Sequence, residues 1–116
     1  MDDTRILLAH GNGGRLMREL IAGIFVRHLG NPLLDTDADA VALPRLDGEL
    51  LVTTDGFTVE PLEFPGGDIG SLAVHGVVND LAVAGADPVY CTLSALIEEG
   101  LEIAKLDRYI ASFARA

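Results

Sequence analysis

The chain has 116 residues, 49% of them apolar, with 18 acidic and 8 basic side chains and a formal net charge of −10. This length suits one domain with one core, which we place at residues 1–116. The negative charge repels phosphate backbones and anionic membranes, which argues against partners of either kind. With one cysteine, Cys91, and no secretory signal pattern, the sequence predicts a cytoplasmic protein.

The first third of the chain predicts a strand-like run followed by a helix. A short apolar run at residues 6–9 precedes the sequence His-Gly-Asn-Gly-Gly. Leucine and isoleucine then recur at helical spacing over residues 14–29. Gly30 and Pro32 are a typical stop signal, so we expect the helix to end there.

The middle of the chain predicts an acidic loop and then strands. The loop carries Asp35, Asp37 and Asp39. Branched residues favour strands at 41–46 and 50–54. The second strand runs into Asp55 and Gly56, and residues 57–62 are a candidate partner for it.

The last part predicts helix, strand, helix. A turn at residues 65–68 ends in Asp68, which can cap a helix over residues 69–84 that Gly85 stops. Apolar side chains suggest that this helix is buried. Alternation predicts a strand over residues 89–98, and a final amphipathic helix starts near Ile103.

This element order favours an α+β fold. Three or four strands would form a small mixed or antiparallel sheet with helices on one face. The other face of that sheet is half apolar, so it needs a covering partner. We therefore expect a homodimer formed through the sheet.

The glycine-rich turn at residues 10–14 is a candidate anion site. It lies between the strand-like run and the helix, where free backbone amides bind phosphate. The glycine spacing and the missing Lys-Ser/Thr exclude a P-loop, and Leu16 replaces the third glycine of a dinucleotide fingerprint. An ordinary tight turn is the alternative explanation.

Several polar residues in apolar surroundings are candidates for a metal site. Asp55 ends a strand, and Asn79 and Asp80 interrupt an apolar helix, where a carboxylate should be paired, capped or metal-bound. With Asp37 and Asp39, these oxygens suit Mg²⁺. The alternative is a solvated loop and an Asp80 that faces water. We interpret Cys91 as a small core residue.

Three stretches together resemble one family. They are residues 8–14 (LAHGNGG), residues 53–70, which include EPLEFPGGDIG, and residues 78–88 (VNDLAVAGADP). They are similar to HypE, the hydrogenase-maturation carbamoyl dehydratases. The Asn-Asp helix is shared with the wider AIR synthase (PurM)-like superfamily, which includes selenophosphate synthetase and thiamine-monophosphate kinase.

The resemblance implies a fold, an assembly and a reaction. Its fold is the PurM N-terminal-like domain, whose sheets pair across a dimer two-fold into a barrel. The enzyme uses ATP and Mg²⁺ to dehydrate an S-carboxamide on its own C-terminal cysteine to a thiocyanate. The carbamoyltransferase HypF loads that cysteine, and the HypC–HypD complex receives the cyanide for the NiFe centre.

Site residues follow from the same resemblance, position by position. Gly11, Gly13 and Gly14 match the segment that closes over the nucleotide, and Asp55, Asn79 and Asp80 match the Mg-ATP site. Asp39 matches a further metal ligand. The family's Gly-Asp-Thr-Lys stretch and acceptor cysteine are not among these residues, so we expect no dehydratase activity from this chain alone. A silent dimerisation scaffold, or the N-terminal domain of another superfamily enzyme, remains an alternative.

Overall fold

A computed structural model describes residues 4–116, which form helices and one short hairpin. In chain order the elements are a 3₁₀ helix at Leu8–Gly11, helix α1 at Arg15–Leu20, a π-helical stretch at Ile21–Val26, helix α2 at Arg27–Leu29, strands β1 at Glu63–Phe64 and β2 at Gly67–Asp68, helix α3 at Ile69–Val83 and helix α4 at Ile103–Arg115. The mixture of helices with a small antiparallel sheet confirms the α+β prediction at that level.

The first helical segment, residues 15–29, confirms the helix predicted at residues 14–29. It runs without interruption through α1, the π-helical stretch and α2. Gly14 precedes it in extended conformation, and the Gly30 amide donates to the Val26 carbonyl at 2.8 Å. A Cβ on Gly30 would lie 2.6 Å from that carbonyl oxygen, which explains why glycine ends the segment.

Helix α3 begins and ends as the sequence predicts. The Asp68 carboxylate accepts from the Ser71 amide at 3.1 Å, and the Asp68 amide donates to the Ser71 hydroxyl at 3.0 Å. This reciprocal capping satisfies two backbone amides at the start of the helix. Gly85 follows the last turn with φ 81°, a left-handed conformation that favours glycine.

The core lies between the first helical segment and α4. Its buried members are Ile6, Leu20, Ile24, Leu106 and Ile110. Backbone pairing of Ile6 with residues 100–101 closes this core. The Ile6 amide donates to the Leu101 carbonyl at 2.8 Å, and the Gly100 amide donates to the Ile6 carbonyl at 2.8 Å.

The prediction of a strand-like run at residues 6–9 is therefore wrong beyond Ile6. Residues 8–11 form a 3₁₀ turn instead. The Leu7 amide donates to Nδ1 of buried His10 at 2.8 Å, and the His10 amide donates to the Leu7 carbonyl at 3.0 Å. These local hydrogen bonds compete with strand pairing and turn the chain towards the glycines.

Helices α3 and α4 cross at Gly70. A Cβ at this position would overlap the backbone carbonyl oxygen of Tyr109, so only glycine permits the approach. The crossing is reinforced by a set of polar contacts that we call the hairpin cluster: Glu63, Asp68, Arg108, Tyr109 and Ser112. Arg108 pairs with Glu63, the Tyr109 hydroxyl donates to Glu63 at 3.0 Å, and the Ser112 hydroxyl donates to Asp68 at 2.6 Å.

A second polar group joins the first helical segment to α4. Arg27 pairs with Asp107, and the His28 ring lies 2.8 Å from the same carboxylate oxygen. Burial raises the pKa of Asp107, but the hydrogen bonds from His28 and Arg27 outweigh it and lower that pKa below its ordinary value.

The strands predicted at residues 41–46, 50–54, 57–62 and 89–98 are not formed among the described residues, and neither is a sheet with helices on one face. The sheet there is the two-stranded hairpin of β1 and β2. A strand needs a hydrogen-bonded neighbour, and these segments have none within residues 4–116. Their apolar side chains are exposed; they include Leu43, Leu50, Val52, Val89 and Leu96.

Two burial predictions also fail for the same reason. Helix α3 is not a buried helix, since Gly70 is its only buried residue. Cys91 is an exposed free thiol rather than a core residue. Both depend on segments that nothing covers in the described chain.

The helices within residues 4–116 are too short or too polar to span a lipid bilayer.

Replacing Gly70 with alanine should destabilise the fold by about 2 kcal/mol or more, because the added methyl group forces α3 away from the Tyr109 carbonyl. Gly23→Ala is the matched control, since a Cβ there meets nothing within 4 Å. Chemical denaturation of both variants measures the difference. Equal stabilities would contradict the close crossing.

The Tyr109 hydroxyl should make stability fall at alkaline pH. Burial and the hydrogen bond to Glu63 raise its pKa from 10.0 to about 12. The unfolded chain therefore ionises first, and the stabilisation present below pH 10 is lost as the pH rises towards about 12. Denaturation across this range should show the loss in the wild type and its absence in Tyr109→Phe. A loss of the same size in both proteins would assign it to other groups.

Candidate functional site

The glycine-rich turn, residues 10–14, has an ordered geometry. The Asn12 side-chain oxygen accepts from the Gly14 amide at 2.9 Å. Gly13 has φ 82°, which a side chain would strain. Buried His10 holds the preceding residues through the Leu7 amide. The predicted turn thus exists, but its Gly14 amide already has an acceptor and is not free for a phosphate.

The arginines near this turn differ in their environment. Arg15 forms an ion pair with Glu19 at 2.8 Å, one helical turn further on. Arg18 is exposed and points to no ion-pair partner within residues 4–116. Of the two, Arg18 is the one available to a bound anion.

The sequence predicts that Asp55 ends a strand, but it lies before Gly56 in a segment without regular structure, since the strand at residues 50–54 is not formed. Its carboxylate is exposed and accepts from the Gly56 amide at 2.9 Å, which fixes the local turn. Two residues later the half-buried Phe57 ring lies against Gly76 of α3. This contact brings the loop of Asp55 to the helix that carries Asn79 and Asp80.

Asn79 and Asp80 lie near the C-terminal end of α3, and both are exposed. In a buried apolar helix Asp80 would have to be paired, capped or metal-bound. In the described chain its carboxylate instead faces solvent, which is the alternative that the sequence also allows, and it carries no desolvation cost. Within residues 4–116, Asp80 forms no ion pair, so both of its oxygens are open to a ligand.

Asp39 belongs to an exposed loop whose order is local. The Asp37 amide donates to the Asp35 carboxylate at 3.0 Å, as in a common aspartate turn. In the described part of the chain, no three His, Cys, Asp or Glu side chains are grouped to hold a metal ion. Asp39, Asp55 and Asp80 thus do not form a ready three-carboxylate site.

The charge distribution around these carboxylates favours a cation. No lysine or arginine occurs between Arg45 and Lys105, a span that includes Asp55 and Asp80. The basic residues belong to the N-terminal part and to α4. Carboxylates in such a stretch of a strongly acidic chain attract divalent metal ions.

Two open grooves lie elsewhere. One is lined by Arg5, Arg27 and Glu102, and the other by residues of the hairpin cluster. Neither is lined by Asp55, Asn79 or Asp80. These three residues lie on the exposed surface of the described chain.

Sequence reasoning missed two structural residues of this site. One is Asn12, whose position two residues before Gly14 is the signal of an asparagine turn. The other is Phe57, because its contact with Gly76 joins parts of the chain far apart in sequence. Local patterns cannot reveal such a contact.

Comparisons with known proteins show the family to which the chain belongs. Residues 36–116 match the family of AIR synthase related proteins, N-terminal domain. The chain is 52% identical over 99 residues to the carbamoyl dehydratase HypE of Bradyrhizobium diazoefficiens, an alignment that covers 85% of this chain and 29% of the relative. It is 48% identical over 112 residues to HypE of Rhizobium leguminosarum, covering 97% and 32%.

A solved structure supports the same relationship. The crystal structure of hydrogenase maturation protein HypE in complex with ATP superposes with a TM-score of 0.84 at 46% sequence identity, covering 95% of this chain and 32% of that one. The chain thus spans about a third of the length of the relatives it matches. It belongs to the family of AIR synthase related proteins, whose N-terminal domain it matches, and the predicted resemblance to HypE is confirmed.

Proposed function

We propose that this chain is the nucleotide-binding N-terminal domain of a HypE-type carbamoyl dehydratase and that it binds Mg-ATP. The observation that carries the proposal is the likeness to HypE in complex with ATP, at a TM-score of 0.84 over 95% of the chain. Residues 1–116 act in this proposal as one domain. The parent enzyme works in the cytoplasm and requires further residues for catalysis.

The proposed reaction of the parent enzyme is the ATP-dependent conversion of an S-carboxamide on a C-terminal cysteine to a thiocyanate. The carboxamide oxygen leaves as phosphate after phosphorylation by ATP. HypF supplies the carbamoyl group, and the HypC–HypD complex receives the cyanide for the NiFe centre of hydrogenase. None of the residues described here is proposed as catalytic, and we expect this chain alone to be inactive as a dehydratase.

The glycine-rich turn is proposed to approach the nucleotide. Gly11 and Gly13 are exposed and a Cβ on either would meet nothing within 4 Å, so the backbone is open to a large anion. Gly14 starts the first helical segment, whose remaining free amides favour negative charge. Arg18, which forms no ion pair among residues 4–116, is a nearby cation.

Mg²⁺ fits the donors at Asp55 and Asp80. It prefers carboxylate oxygens and commonly takes only one or two of them together with water and phosphate oxygens. Two exposed carboxylates that form no ion pair among residues 4–116 therefore suffice, with Asn79 as a hydrogen-bonding neighbour and Asp39 as a further candidate ligand. When bound, the ion would neutralise charge on the transferred phosphoryl group.

Binding of Mg-ATP tests this proposal directly. We expect isothermal calorimetry on the chain to give a Kd of ~0.1 to 1 mM with Mg²⁺ and much weaker binding without it. Asp80→Asn keeps the shape of the side chain but removes its charge, so the Kd should rise about tenfold, which corresponds to about 1.4 kcal/mol. NMR shifts should appear at Asp55, Asn79 and Asp80 before α4.

Asp87→Asn is the matched control, because Asp87 is also exposed and lies outside the proposed site. The Asp87→Asn variant should bind Mg-ATP with the same affinity as the wild type. Equal losses in both variants would indicate only a general charge effect. No binding at millimolar Mg-ATP would instead favour the dimerisation scaffold as the role of this chain.

We also propose that the chain forms a homodimer whose two sheets pair into a barrel. The supporting observation is the exposure of the segments at residues 41–54 and 89–96. Val52 is 80% exposed and Leu96 is fully exposed, although both belong to apolar segments of strand-like sequence. Isolated strand edges are unstable in water, so a second copy that pairs with them would stabilise both chains.

Light scattering at micromolar concentration should therefore give the mass of a dimer. We expect the dimer interface to bury ~2,000 Å² or more. Leu96→Asp should shift the protein towards monomer, because the aspartate would place a charge in the proposed interface. Leu8→Asp is the control, since Leu8 is 77% exposed but lies outside these segments. A monomeric wild type would contradict the dimer proposal without affecting the nucleotide proposal.

A further inference from the structure

Helix α3 has two glycines whose backbones are closely approached. At Gly70 the neighbour is the Tyr109 carbonyl, which sets the crossing with α4. At Gly76, in the middle of the helix, the neighbour is the Phe57 ring. A Cβ on Gly76 would overlap ring atoms Cζ and Cε1 and lie 3.5 Å from Cε2. Glycine weakens the middle of a helix, so its presence under a ring has a structural reason.

The position of this contact on α3 relates it to the proposed site. Asn79 and Asp80 follow Gly76 by three and four residues, the spacing that places side chains on one face of a helix. Phe57 therefore contacts the face of α3 that carries the two polar residues, about one helical turn before them.

The loop that carries Phe57 also carries Asp55. Two residues of chain span at most about 7 Å, so Asp55 cannot move far while the Phe57 ring lies against Gly76. Residues 55–57 belong to no helix or strand, and the hydrogen bonds of Asp55 with its surroundings are limited to the adjacent Gly56 amide among residues 4–116. The ring contact therefore anchors this loop on α3.

We infer that the Phe57–Gly76 contact positions the Asp55 carboxylate for a divalent cation shared with Asp80. This inference rests on the proposed Mg-ATP site and names a device that assembles it. Phe57 and Gly76 are positioning residues in this account, because neither touches the ion. The two carboxylates come from separate segments, so a metal ion would bind both only if the loop is held against the helix.

Gly76→Ala tests the inference. The added methyl group displaces the ring, so the Kd for Mg-ATP should rise about tenfold or more while the Kd for ATP in EDTA changes less than about twofold. The double variant Phe57→Leu/Gly76→Ala should regain most of the affinity, because leucine lacks the ring atoms that collide. Gly23→Ala is the matched control, a helical glycine with nothing near its added Cβ. Calorimetry measures binding, and thermal unfolding shows that each variant is folded.

The outcomes separate this inference from the proposed function. Mg-dependent binding by the wild type together with unchanged affinity in Gly76→Ala overturns the inference and leaves the proposed site intact. A loss of equal size with and without Mg²⁺, or a failure of the double variant to regain affinity, also overturns it, because either result marks a general structural defect. Absence of Mg-ATP binding by the wild type overturns the proposed site and this inference together.

Discussion

The approach of α3 to α4 at Gly70 is the contact on which the arrangement of this chain depends. Because no side chain separates the helix from the Tyr109 carbonyl, Asp68 can cap α3 and also accept from Ser112. The same proximity lets the hairpin reach α4 through Glu63. Its carboxylate has a pKa below the ordinary value, since it accepts from Arg108 and Tyr109. These contacts set the direction of α3, and thereby the place of Asn79 and Asp80 at its far end.

The candidate site combines helix α3, which α4 holds in place, with loops of irregular structure and exposed carboxylates. Asp55 and Asp80 face solvent, so their carboxylates stay hydrated in the absence of a ligand at no cost to the fold. In the proposed site, affinity would come from the phosphates and the metal ion together, because neither alone would have a complete set of partners there. In that proposal the glycine-rich turn contributes backbone groups, and hydrogen bonds to Asn12 and His10 hold it in place.

Local sequence signals predicted the helices and their ends well. Asp68, Gly85 and Gly30 act through neighbours within a few residues, and the structure confirms the role of each in starting or ending a helix. The strands were not predictable in this way, because alternation at residues 89–98 describes a two-faced segment but not the neighbour that must pair with it. The predicted burial of α3 is wrong for the same reason, and Asp80 on that helix faces solvent. The Phe57–Gly76 contact escaped prediction because it joins residues that are distant in sequence.

The π-helical stretch at Ile21–Val26 has a consequence for changes in chain length. Its wider turn holds one residue more than an α-helical turn, yet Leu20 and Ile24 still face the core, and Arg27 and His28 still reach Asp107. Deleting one residue here would restore regular α-helical turns and leave the downstream side chains close to their present face, because the deletion removes the extra residue that the wider turn accommodates. The core face and the Asp107 contacts would then be kept together, so this stretch tolerates the loss of one residue better than a regular α-helix, in which such a loss rotates everything downstream by about 100°.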